Sequence, residues 1–176
     1  TYYHTLGLCK PRQRRICPKL EMKIKSVLVL INPAKDQSTL VAAQLKEVLD
    51  RARVKQNWME TLPSRKRSIT PSRSAQPADL ALVCGGDGTM LQGAHILKGS
   101  GIPLLGINTG YLGFITTLEK RALASSLRRV LAGDYQISER LALDVEVSIG
   151  KRVARGWALN DVLISRGANP QLISIS

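Results

Sequence analysis

The sequence predicts an α/β fold, a parallel sheet over residues 22–134, followed by the beginning of a β-rich unit over residues 135–176. Three observations carry this. Short continuous apolar runs, Val27–Ile31, Leu80–Cys84 and Ile102–Ile107, alternate with segments of helical periodicity, as in sheets buried on both faces by crossover helices. Two of these runs end in glycine-punctuated turns, Gly85-Gly86-Asp87-Gly88-Thr89 and Asn108-Thr109-Gly110-Tyr111-Leu112-Gly113, and such sheets place ligands at the carboxyl ends of their strands. After Gly133 the apolar period shortens to two, with Leu141, Leu143, Val145, Val147 and Ile149 alternating with other residues.

Residues 1–21 are expected to be a disordered or non-native leader. Lys10, Arg12, Arg14, Arg15 and Lys19 crowd this stretch, Pro11 and Pro18 interrupt it, and Glu21 is its sole acid. Met22 reads as a natural start; the rival is an organelle transit peptide, which is also Arg-rich and acid-poor. The strand Val27–Ile31 ends at Asn32-Pro33. Ser38 is expected to cap a helix running to about Ala52, with Leu40, Val41, Leu45, Val48 and Leu49 on its apolar face. Val54–Met59 is a short strand, and residues 61–78, with Pro63, Pro71 and Pro77, form a surface loop. Leu80–Cys84 is the next strand. The helix after it carries Met90, Leu91, Ala94 and Leu97, with His95 as a helix residue near the site, and ends at Gly99-Ser100-Gly101. Glu119–Ala132 reads as a helix stopped by Gly133. Val153–Leu159 returns as a hairpin across Gly150-Lys151, and further strands are expected from Asn160 and at Leu172–Ile175.

The 176 residues, 44% hydrophobic and 22% charged, suffice for a domain and part of another. No apolar run approaches the roughly 18 residues that span a bilayer. The net charge is +13, yet its basic clusters lie in the leader and in the 61–78 loop without interleaved aromatics, which disfavours nucleic acid as a partner. A cationic field also attracts anionic nucleotides. Cys9, Cys17 and Cys84 have no metal-ligand spacing, and a reducing compartment suits them.

The chemistry lies in Gly85–Thr89. Glycines let a ligand approach the main chain, and the unpaired amides opening the next helix suit a phosphate. Asp87 would repel a bare phosphate. It makes sense as the ligand of a nucleotide's metal or as proton acceptor for a hydroxyl being phosphorylated. The plain alternative is a tight turn with Asp87 as helix cap. No Gly-Lys-Ser/Thr follows, so this is not a Walker loop, and no Gly-x-Gly-x-x-Gly supports a dehydrogenase.

The motif closely resembles one shared by NAD kinases, diacylglycerol and sphingosine kinases, and phosphofructokinases. Gly106-Ile107-Asn108-Thr109-Gly110-Tyr111-Leu112-Gly113-Phe114 narrows this, because it is similar to the second signature of the NAD kinases. Gly133-Asp134-Tyr135 with Glu139-Arg140, and Ala158-Leu159-Asn160-Asp161-Val162, resemble that family's domain junction and its Asn-Glu/Asp motif. Over residues 24–176 the chain is thus similar to the N-terminal portion of a bacterial-type NAD kinase. The family's later segment, with a Pro-Thr-Gly-Ser-Thr-Ala-Tyr-like run, is absent, so the chain is expected to be a fragment with little activity alone.

The resemblance implies a phosphofructokinase-like α/β domain and transfer of the γ-phosphate of ATP to the 2′-hydroxyl of NAD's adenosine ribose, with Mg²⁺ required and polyphosphate as an alternative donor. It implies Asp87 as the catalytic proton acceptor. It places Asp87, Gly88, Leu91, Phe114, Asn160 and Asp161 at the NAD and Gly85, Gly86, Thr89 and Asn108 near the donor phosphates. Without the family, Phe114 and Leu91 would be core residues by default. The implied enzyme is cytoplasmic, or organellar if residues 1–21 are a transit peptide, and forms homo-oligomers through its β-rich domain. A lipid or sugar kinase and a non-catalytic nucleotide-binding module are the alternatives.

Overall fold

The computed structural model describes residues 2–7, 23–33, 36–61, 77–109, 118–119, 122–159 and 162. Their strands are β1 (Tyr2–Gly7), β2 (Ser26–Ile31), β3 (Lys55–Glu60), β4 (Leu80–Cys84), β5 (Leu104–Asn108), β6 (Leu118–Glu119), β7 (Gln136–Ile149) and β8 (Arg152–Leu159). The helices are α1 (Asp36–Arg51), α2 (Asp87–Ile96) and α3 (Leu123–Leu131). The strand order is β3-β2-β4-β5-β1-β7-β8, with β6 beside the end of β5. Pairing is parallel among β3, β2, β4, β5 and β6, and antiparallel along β1-β7-β8.

The expected α/β class is therefore present, with a parallel sheet and an antiparallel hairpin. β4 and β5 are buried at every position, which is why they read as unbroken apolar runs. Alternate residues feed two cores. On one face Val27, Val29, Leu80, Leu82, Leu105 and Ile107 pack with Val41, Leu45 and Leu49 of α1 and Leu123, Leu127 and Val130 of α3. On the other, Leu28, Leu30, Ala81, Val83 and Leu104 pack with Met90, Ala94 and Ile96 of α2. Gly93 lets α2 lie close to the sheet, since a Cβ there would stand 3.0 Å from Val83 and 3.2 Å from Leu30.

The amino ends of β2 and β4 are joined by Asp79. Its Oδ2 accepts hydrogen bonds from the amides of Lys25 (2.7 Å) and Ser26 (2.8 Å) and from the Ser26 hydroxyl (3.1 Å). Burial alone would raise the Asp79 pKa; these three donors outweigh it and hold the carboxyl below its ordinary value.

The structure departs from the sequence reading in several places. Residues 2–7 form a strand paired with β5 and β7 instead of lying in an unstructured leader; Tyr2, Tyr3 and Thr5 are residue types that favour strands. Ser38 is inside α1 and fully buried, so it is not the cap, and Leu40 is exposed. Glu119 belongs to β6, and the helix starts four residues later. It ends as expected, at Gly133, whose φ of 87° is a left-handed conformation suited to glycine. The strands expected from Asn160 and at Leu172–Ile175 lie outside the described residues.

In the hairpin, Leu141, Leu143, Val145 and Val147 share one face of β7, while Asp144 and Glu146 face the other way, toward Trp157 and Arg155 of β8. Leu141 and Val147 are about half exposed. Among the described residues no helix is long and apolar enough to cross a membrane.

Candidate active site

The direction of the chain reverses between β2 and β4. From β2 the chain passes through α1 to β3 on one side, then crosses back to β4 and β5 on the other. Helices α1 and α2 therefore leave neighbouring strands toward opposite faces, opening a crevice at the carboxyl ends of β2 and β4. Ile31 pairs with Cys84 and Cys84 with Ile107, so Asn32 and Gly85, one step beyond β2 and β4, stand level with Asn108, the last residue of β5. The rim is tied together: the Gly85 amide donates to the Ile107 carbonyl (3.0 Å) and the Thr61 amide to that of Ile31 (2.7 Å).

Gly86 is the N-cap of α2 in an extended conformation, with no side-chain cap. Asp87 thus opens the helix instead of capping it, and its charge there is favoured by the helix dipole. The Gly86 carbonyl accepts the amides of Thr89 (3.0 Å) and Met90 (3.1 Å). Gly85 is required by packing: a Cβ there would lie 2.6 Å from Thr89 Cβ and closer still to its hydroxyl. Thr89, Asn108 and Thr109 are buried at 4–5% exposure.

Asp87, Gly88 and Leu91 share one side of α2 at helical spacing. Asp87 is half-buried and Gly88 exposed. Leu91 is 41% exposed, so the default reading of it as core is wrong; the sheet-facing side of α2 is already taken by Met90, Gly93, Ala94 and Ile96. His95 is not near the motif. It lies eight residues along α2, about 12 Å away by helical rise, where it meets Trp157. Cys84 is buried directly before the turn, and burial pushes its thiol pKa up to about 12, which keeps it protonated and unreactive.

Gly85 and Gly86 thus form the turn after β4, Asp87, Gly88, Thr89 and Leu91 lie on the first turns of α2, and Asn108 ends the neighbouring β5. Phe114, Asn160 and Asp161 lie outside the described residues; Asn160 and Asp161 directly follow β8 in the chain. Asn32 and Thr109 were not singled out from sequence as site residues, although a polar residue directly after a buried strand was the available signal. Among the described residues no three His, Cys, Asp or Glu side chains gather as a metal site. The single carboxylate of Asp87 at this turn nevertheless suits Mg²⁺, which is commonly held by one or two carboxylates and a substrate's phosphates.

A doubly wound sheet with a glycine-rich turn and a helix N-terminus at its switch point is the architecture of α/β domains that place ligands at the carboxyl ends of their strands. Residues 10–135 match the family model of the ATP-NAD kinase N-terminal domain. The chain belongs to the NAD kinase family. It is 33% identical over 162 residues to the NAD kinase of Mycobacterium bovis, covering 81% of this chain and 53% of that protein. The NAD kinase of Corynebacterium diphtheriae is 48% identical over 94 residues, 52% of this chain and 30% of that protein. That of Nitratidesulfovibrio vulgaris strain DP4 is 38% identical over 157 residues, 86% of this chain and 50% of that protein. The chain therefore spans about half the length of the mycobacterial and Nitratidesulfovibrio relatives. The fold is also that of yeast NADH kinase, solved in complex with NADH, with a TM-score of 0.57 at 14% identity over 90% of this chain and 53% of that one.

Proposed function

We propose that this chain is the catalytic N-terminal portion of an enzyme that transfers the γ-phosphoryl group of ATP to the 2′-hydroxyl of NAD's adenosine ribose, giving NADP and ADP. Gly88 carries the reading. It sits in the first turn of a helix, its φ is not positive, and a Cβ would meet nothing within 4 Å. Folding alone would favour alanine there by about 0.5–1 kcal/mol. A glycine beside Asp87 and the exposed Leu91, where folding alone would favour alanine, fits a ligand that comes against the helix backbone.

In this reading the ribose edge lies against Gly88 and Leu91, with Phe114, Asn160 and Asp161 completing the NAD site. Asp87 accepts the hydrogen bond of the 2′-hydroxyl and takes its proton as the new O–P bond forms and the γ–β bridging bond breaks. Gly85, Gly86, Thr89 and Asn108 surround the donor phosphates. Mg²⁺, held by Asp87 and the phosphates, would neutralise charge on the transferring group. Because this transition state is loose, alignment and neutralisation matter more than early deprotonation, so a weak base such as Asp suffices. Polyphosphate is an alternative donor in this reading, and the family resemblance implies a homo-oligomeric full-length enzyme, cytoplasmic or, if residues 1–21 are a transit peptide, organellar.

The test is NADP formation by full-length enzyme, wild type beside Asp87→Asn. The variant loses on the order of 10²–10⁴ in turnover with a modest change in NAD binding. Near-normal turnover would remove Asp87 from the chemistry.

A further inference from the structure

Strand β5 is buried at every position, and β4 runs along one of its edges. The other edge is shared. β6 covers its carboxyl end, at Ile107 and Asn108, and β1 meets its amino end at a single register pair, Thr5 with Leu104. On its far side β1 is paired much more fully, with all of Tyr2–Gly7 facing Gln136–Leu141 of β7 in antiparallel register. β7 then changes partner, and Ala142–Ile149 pair with β8. Among the described residues β1 is therefore the only strand that joins the β7–β8 hairpin to the parallel sheet.

We propose that the amino end of β5 and the first half of β7 form a slot for one extended strand, that Tyr2–Gly7 fills it, and that this occupant is exchangeable. A slot between two strand edges recognises its guest through main-chain hydrogen bonds, which another extended segment of the same length also makes. The connection to the rest of the chain does not force β1 into place. β1 lies three strand spacings from β2, about 14 Å, whereas the intervening residues 8–25 reach roughly 60 Å when extended. A tether that long supplies the strand at an effective concentration in the millimolar range, and no more. With β1 withdrawn, the hairpin is held through Ala142, Leu159 and Trp157, packed on the α2 side of the sheet, and through the exposed Lys98–Asp144 ion pair. Occupation of the slot thus decides whether hairpin and parallel sheet form one continuous sheet or two bodies in contact. The inference stands apart from the NAD kinase reading, because it invokes no substrate and no catalytic group.

The experiment is hydrogen exchange read by mass spectrometry on full-length protein, wild type beside a variant lacking residues 1–8. β7 carries its own control, because one half faces β1 and the other faces β8. The deletion lowers the protection of Gln136–Leu141 about tenfold, the scale of one main-chain hydrogen bond. Ala142–Ile149 and the core strand Leu80–Cys84 stay within about twofold of wild type, since local openings need not spread through the fold. A peptide of residues 1–8, added to the deletion variant at about 1 mM to match what the tether supplies, restores the protection of Gln136–Leu141. The same peptide carrying Thr5→Pro does not, because proline removes a main-chain donor at a position paired on both sides. Unchanged protection at Gln136–Leu141 in the deletion variant overturns the claim that β1 fills the slot. A variant that fails to fold, or loses protection at Leu80–Cys84 as well, shows β1 to be part of the core and overturns its exchangeability. Protection lost at Gln136–Leu141 and not restored by the peptide overturns the slot as a strand acceptor.

Discussion

Replacing Gly88 by alanine separates stability from function at one atom. The added methyl group meets nothing within 4 Å, and the backbone there is not in the left-handed region, so no strain is introduced. Alanine is the better helix former, and it also has fewer unfolded conformations to lose, so Gly88→Ala should stabilise the fold by about 0.5–1 kcal/mol. In a domain of this size that corresponds to a rise of roughly 1–4 °C in Tm. If the ribose of NAD lies against this turn, the same methyl group collides with it. Overpacking a close contact costs about 1–3 kcal/mol, which is a roughly 5- to 150-fold loss in kcat/KM for NAD. Urea denaturation and a coupled NADP-formation assay on full-length enzyme give the two numbers. A stabilised variant with unimpaired kcat/KM would refute the placing of NAD against Gly88. A destabilised variant would refute the open surroundings described for it.

Asp79→Asn should cost about 1–2 kcal/mol at neutral pH, because three donors lose a charged acceptor. The Asp79 carboxyl is held below its ordinary pKa of 3.8, so its contribution is complete above that value and disappears as pH falls through the lower folded value. The stability gap between wild type and variant, measured by urea denaturation, should narrow as the pH falls below 3.8; a constant gap would sink the assignment. Cys84 has the opposite sign. Its pKa is raised from 9.0 to about 12, so the associated stability is complete below 9.0 and is lost from there up to 12. It should fall by about 1.4 kcal/mol at roughly pH 10, measured against Cys84→Ala. Peptide mapping after alkylation at about pH 8 should find Cys84 protected in the native chain and modified in urea.

The strands of the parallel sheet were legible because burial on both faces leaves an unbroken apolar run, and Leu80–Cys84 falls where the sequence puts it. The Gly85–Thr89 turn was legible because few residue types permit a strand to pass so abruptly into a helix. Helix boundaries were less so. Ser38 looked like a cap because its side chain can be one, and only packing places it inside α1. For Leu91 the default reading as core fails, since an apolar side chain in a helix is usually buried but its exposure depends on which neighbours already cover the sheet. The pairing of residues 2–7 with β5 and β7 is a long-range choice, made by edges presented about a hundred residues away, and no local pattern encodes it. His95 was placed near the motif because sequence distance hides the length of a helix.

Asn32 and Gly85, just past β2 and β4, stand level with Asn108, the last residue of β5. Two of these three are committed to the fold: Gly85 by the closeness of Thr89, and Asn108 by its burial. Variation there would disturb the sheet along with whatever is bound. A protein engineer seeking a new acceptor would therefore begin at the exposed Gly88 and Leu91 on the first turns of α2, where an added side chain meets open space, before touching Val29, Leu82 or Leu105.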